Sequence, residues 1–129
     1  MLSILRIVAG FLMLWHGSQK LFDYPASAGG YGGALIITAG IIEFFGGLTV
    51  MIGFLTRPAA FLLSGLMAFA YFMAHAPAGF LPLENKGELA AIYSFLYLYF
   101  VFAGGGVWSI DALISRSQPE ITATAAEAA

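Results

Sequence analysis

Four apolar stretches decide what this chain can fold into: Leu2 to Phe22, Leu35 to Leu55, Ala59 to Ala76 and Leu89 to Trp108. As a helix rising about 1.5 Å per residue, each is long enough to cross most or all of the roughly 30 Å of hydrocarbon in a bilayer. None alternates with the period of two that a lipid-spanning strand needs, and only helices and closed barrels satisfy their own backbone inside lipid. With 60% hydrophobic and 9% charged residues, the chain also lacks the charge to build the surface of a soluble domain, which needs roughly a quarter. The sequence therefore reads as an all-α integral membrane protein, a four-helix bundle running up-down-up-down. One domain covers 1–114, with helices at about 2–22, 35–55, 59–76 and 89–108, and a mobile polar tail covers 115–129.

The expected location is the cell membrane, plasma or inner, crossed several times, with the lipid bilayer as first partner. An even number of spans puts Arg6, Arg57 and Arg116 on one side and Lys20 and Lys86 on the other. That bias sets both termini in the cytoplasm. A net charge of −2 offers no basic surface for nucleic acid, and the absence of cysteine excludes disulfides, thiol redox chemistry and Cys-ligated metal centres.

Polar residues inside the apolar runs carry the functional signal, because ionisable groups in lipid are costly and need partners. His16 and Lys20 are four residues apart and share one face of the first helix, with Gly17 and Gln19 beside them. Glu43 is the only carboxylate well inside an apolar run, flanked on its own face by Gly40 and Gly47, which let a neighbour come close. Counted from the helix ends, Glu43 and His16 lie within about a turn of the same depth, so antiparallel neighbours would bring them together. His75 ends the third helix just before Pro77, Glu88 opens the fourth, and Tyr93 and Tyr97 follow one turn apart. Arg6, near the inner end, reads as an anchor that snorkels to the interface, and Arg57 as a possible partner of Asp111.

Taken together, five separated segments resemble the DoxX family of small four-helix membrane proteins. They are His16-Gly17-Ser18-Gln19-Lys20, Glu43-Phe44-Phe45-Gly46-Gly47, Gly53-Phe54-Leu55-Thr56-Arg57, Gly87-Glu88-Leu89-Ala90-Ala91-Ile92-Tyr93, and Gly104-Gly105-Gly106 followed by Ser109-Ile110-Asp111. The resemblance spans Arg6 to Asp111. It implies a link to membrane oxidoreductases, since the members that give the family its name are subunits of a terminal quinol oxidase or thiosulfate:quinone oxidoreductase. Relatives acting in thiol redox carry paired cysteines, and this chain has none.

Four readings of the polar cluster stand beside one another. In the first, His16, Gly17, Gln19, Lys20, Glu43, His75, Glu88, Tyr93 and Tyr97 bind a quinone or another flat oxygen-bearing molecule. His16 holds a ring oxygen and Glu43 takes the proton, so these two are the catalytic candidates, and a partner subunit receives the electrons. The second ligates haem b between His16 and His75, against a depth offset of about 5 Å. A non-enzymatic role in binding, transporting or assembling is the third, with glycine-lined faces also suiting a homo-oligomer. In the fourth, the groups only satisfy one another. The leading expectation is a quinone-interacting accessory subunit rather than a stand-alone enzyme.

Overall fold

The computed structural model of the protein describes residues 1–27 and 32–117. Helix α1 (Leu2–Phe22) runs the length expected of the first span and closes where Asp23 turns left-handed. Helix α2 (Ala34–Ile52) stops at Ile52 rather than Leu55. Gly53, at φ 75°, donates its N–H to the carbonyls of Thr49 and Val50, and Phe54 reaches back to Thr49 as well, a closure that favours glycine. Helix α3 (Thr56–Ala70) begins before the expected Ala59, with Pro58 in a first turn that needs no N–H from it.

After Ala70 the coil widens into a π turn over Tyr71–His75 and tightens into a 3-10 turn over Ala76–Ala78, so Pro77 sits within a turn and not at the helix end. A short helix, α4 (Pro82–Asn85), fills the loop before α5 (Glu88–Ala103). Helix α5 ends at Ala103 and not Trp108, because Gly104 (φ 75°) and Gly106 (φ 77°) turn the chain back beneath the bundle. Residues 110–117 are helical again, so the first three residues of the expected tail continue this stretch, and 118–129 lie outside the described residues.

Contacts between the long helices run in opposite numerical order, which makes each pair antiparallel. Gly10 faces Gly47 and Met51, while Gly17 faces Gly40 and Phe44. Ser64 and Ser94 exchange hydroxyl-to-carbonyl bonds of 2.8 and 3.2 Å between α3 and α5. The Tyr97 hydroxyl of α5 donates to the Ala9 carbonyl of α1 at 2.8 Å, which closes the ring α1–α2–α3–α5. Along the α1/α2 seam backbone meets backbone: a Cβ added to Gly10 would stand 2.5 Å from the Met51 nitrogen and 2.7 Å from the Gly47 oxygen.

The polarity of the bundle is inverted relative to a soluble protein. Arg6, Glu43, Thr56 and Ser64 are buried, while Phe61, Phe95 and Phe102 stand with 64%, 74% and 75% of their surface exposed. Large apolar groups pointing outward around a polar interior are stable in lipid and not in water. By length and composition, α2 and the helical run Thr56–Ala78 could each cross a membrane, and α5 is a shorter apolar helix.

Candidate functional site

In the half of the bundle away from the N-terminus, α1, α2, α3 and α5 line a cavity of about 200 Å³. Five of the expected residues line it: His16, Lys20, Glu43, His75 and Tyr93. Each arrives for a local reason. His16 and Lys20 share a face of α1 at the spacing of one turn. Glu43 is brought to them because Gly17 lies against the backbone of Phe44 and Gly40 lies against the Cβ of Lys20, so no side chain holds α1 and α2 apart.

Glu43, almost wholly buried, forms an ion pair and hydrogen bond with Lys20, not with His16. Lys20 therefore does more than stand above the site: it neutralises the one buried carboxylate of α2. His16 instead meets the edge of Tyr93, ring centroids 6.0 Å apart, and makes no hydrogen bond among the described residues. Tyr93 stacks on Tyr97 at 5.9 Å, continuing the aromatic column below the cavity. His75 stacks on Tyr71 and places Nδ1 3.1 Å from the Asn85 carbonyl.

Four expected site residues lie elsewhere. Gly17 belongs to the helix seam and leaves no slot for a ligand. The Gln19 side-chain amide donates to the Pro25 carbonyl at 3.1 Å and turns toward the loop. Glu88 is exposed and outside the lining, and Tyr97 is fully buried beneath it, with its hydroxyl committed to Ala9. Conversely, Lys86 lines the cavity together with Met67, Ala70, Leu89 and Ala90. Lys86 reaches it from a left-handed position (φ 59°) that its residue type did not signal. His16 and His75, the candidate haem ligands, both line this cavity, and His75 turns its Nδ1 to the Asn85 carbonyl.

The end of the bundle that carries the N-terminus holds a second polar assembly, and here the expectation for Arg6 was wrong. Arg6 does not snorkel. It is fully buried and donates to the carbonyls of Val50 and Met51 at the end of α2 and of Gly105 and Trp108 in the returning chain. Asp111 does not pair with Arg57, whose guanidinium donates to the Val101 carbonyl at 3.2 Å. Its carboxylate accepts the N–H groups of Leu55 at 2.8 Å and Thr56 at 2.9 Å, capping α3 from a distant part of the chain. Burial raises the Asp111 pKa, but hydrogen bonding from Thr56 and Leu55, with the charge of Arg6, outweighs it and holds the carboxyl below its ordinary value. A hollow of about 410 Å³ beside this assembly is wider, but the polar groups of Asp111 and Arg57 on its wall are already engaged with backbone.

An apolar exterior around a largely buried charge pair and a small polar cavity defines a class: an all-helical membrane protein. Within that class the chain belongs to the DoxX family, whose model matches residues 1–76. It is 43% identical to an uncharacterized protein of Haemophilus influenzae over 85% of this chain and 87% of the other. It is 29% identical to the inner membrane protein YqjF of Escherichia coli, over 88% of this chain and 91% of that one. An uncharacterized membrane protein of Mycobacterium tuberculosis is also 29% identical, over 87% and 80% of the two chains. No solved structure matches the chain.

Proposed function

We propose that the protein is an accessory subunit of a membrane oxidoreductase system that receives the head group of a quinol in its outer cavity. Both termini lie on the cytoplasmic side in this reading, with the cavity in the opposite half of the bilayer. The observation that carries it is the convergence on one small cavity of His16, whose imidazole makes no hydrogen bond among the described residues, the largely buried Tyr93 and the Lys20–Glu43 pair. A volume of about 200 Å³ is below that of ordinary ligand pockets, so in this reading only the head-group ring enters and the isoprenoid tail stays in lipid. Oxidising a quinol releases protons and electrons together. His16 takes a proton through the hydrogen bond it makes to a ring oxygen, the Lys20–Glu43 pair offers a carboxylate for another, and a partner subunit takes the electrons.

The ion pair itself favours a second reading, in which it fixes the register of α1 against α2 and the cavity holds nothing. Protein extracted gently from its own membrane separates the two. Solvent extraction should recover quinone in near-stoichiometric amount from the parent protein and little from His16→Ala or Tyr93→Phe at unchanged melting temperature. Recovery of no quinone, or equal recovery from all three, contradicts the quinol reading.

A further inference from the structure

The charges around the outer cavity do not balance. Lys20, Lys86 and Glu43 line it, Glu43 is taken up by Lys20, and Lys86 makes no ion pair among the described residues. Lys86 is itself exposed, at the rim of the cavity, and Glu88, two positions along, is exposed and outside the lining. The position of Lys86 is fixed by its neighbour: Asn85 is buried, donates to the Gly79 carbonyl at 2.6 Å and the Tyr71 hydroxyl at 3.2 Å, and accepts the Gly87 N–H at 2.7 Å. Leu89 and Ala90, in the first turn of the 16-residue helix α5, form another part of the wall, and no side chain caps that helix. Its leading N–H groups add the positive end of a helix dipole.

Tyr93 supplies an independent observation. It is 6% exposed, lines the cavity, and makes no hydrogen bond among the described residues. The hydroxyl oxygen itself is not sealed off, so its donor opens onto the cavity, where a ligand can supply the acceptor.

We infer that the cavity takes its ligand as an anion, a ring bearing an ionised oxygen or carboxylate, held by the Tyr93 hydroxyl, Lys86 and the start of α5. This rests on the ring-binding role proposed above and deepens it: the cavity favours the deprotonated form of a bound ring, a quinolate or another ring acid, over the neutral one. A neutral ring would satisfy Tyr93 alone; an anion would also pair with Lys86 at the rim, although Glu88 in the first turn of α5 offsets part of the helix dipole.

The test uses the full chain in phosphatidylcholine nanodiscs, with empty nanodiscs as the partition control. The probes are a hydroxynaphthoquinone whose ring hydroxyl is ionised at neutral pH and its uncharged methyl ether. The anion should bind roughly tenfold tighter or better. Lys86→Gln, at an exposed position, should remove most of that preference while leaving the ether's affinity unchanged, and Tyr93→Phe should weaken both probes. Equal binding of the two probes overturns the inference while leaving ring binding in place, and so does a preference that survives Lys86→Gln. If neither probe binds, the ring-binding role falls with it.

Discussion

Glu43 is the residue on which the outer half turns, because a carboxylate in lipid must be neutralised or paired, and Lys20 does the pairing. The spacing of His16 and Lys20 placed both on the face that meets Glu43. Which of the two reaches it depends on the offset of two helices along their seam, which spacing within one helix does not contain. Lys20 keeps 19% of its side-chain surface exposed and Glu43 only 2%, so the two partners are not equivalent. Lys20→Met strands a buried carboxylate and should cost about 3 kcal/mol in unfolding from mixed micelles. Glu43→Gln leaves a lysine that still reaches water and should cost less. The double variant Lys20→Met/Glu43→Leu should recover much of the loss, as apolar replacements of buried ion pairs often do.

At the scale of helices, glycine has two different uses that composition cannot tell apart. Gly10, Gly17 and Gly47 are places where one backbone lies on another, whereas nothing stands within 4 Å of where a Cβ on Gly65 would be. Gly17→Ala should therefore push α1 from α2, lower the melting temperature and disturb the Lys20–Glu43 pair. Gly65→Ala, in the interior of α3, should be neutral or stabilising by about 0.5–1 kcal/mol. The inner end was the least legible part of the fold. Gly104-Gly105-Gly106 announces a break, but not that the chain turns back to lay two carbonyls on Arg6 and an aspartate on the start of α3. Snorkelling is the ordinary fate of an arginine near a helix end, and only the returning segment makes burial possible. The Asp111 cap carries a pH signature. Its pKa is held low in the folded protein, so its contribution to stability is present above the ordinary aspartate value, near 3.9, and is lost as pH falls through the lower folded value. Acid should loosen the start of α3, read as a lower amide protection factor at Leu55 and Thr56 relative to the intrinsic rate at each pH, and Asp111→Asn should weaken the cap and remove that pH dependence.

Across the whole molecule, apolar run length was enough to read an all-helical membrane protein, because lipid admits so few alternatives. The cavity was only half legible. His16, Lys20, Glu43, His75 and Tyr93 were readable as polar groups at the outer end of their helices, whereas Lys86 and Asn85 depend on the path of a loop. Gly17 and Tyr97 misled, since a small residue and a buried phenol each look like site features until the helix facing them is known. The outward phenylalanines at 61, 95 and 102 offer lipid contact everywhere, so an apolar ligand could associate without a site. Photolabelling with an azidoquinone, followed by peptide mapping, separates those cases most directly. Label should concentrate on 16–20 and 86–93 and be displaced by excess unlabelled quinone. Label spread over Phe61, Phe95 and Phe102, with no displacement, would contradict a quinol-binding cavity.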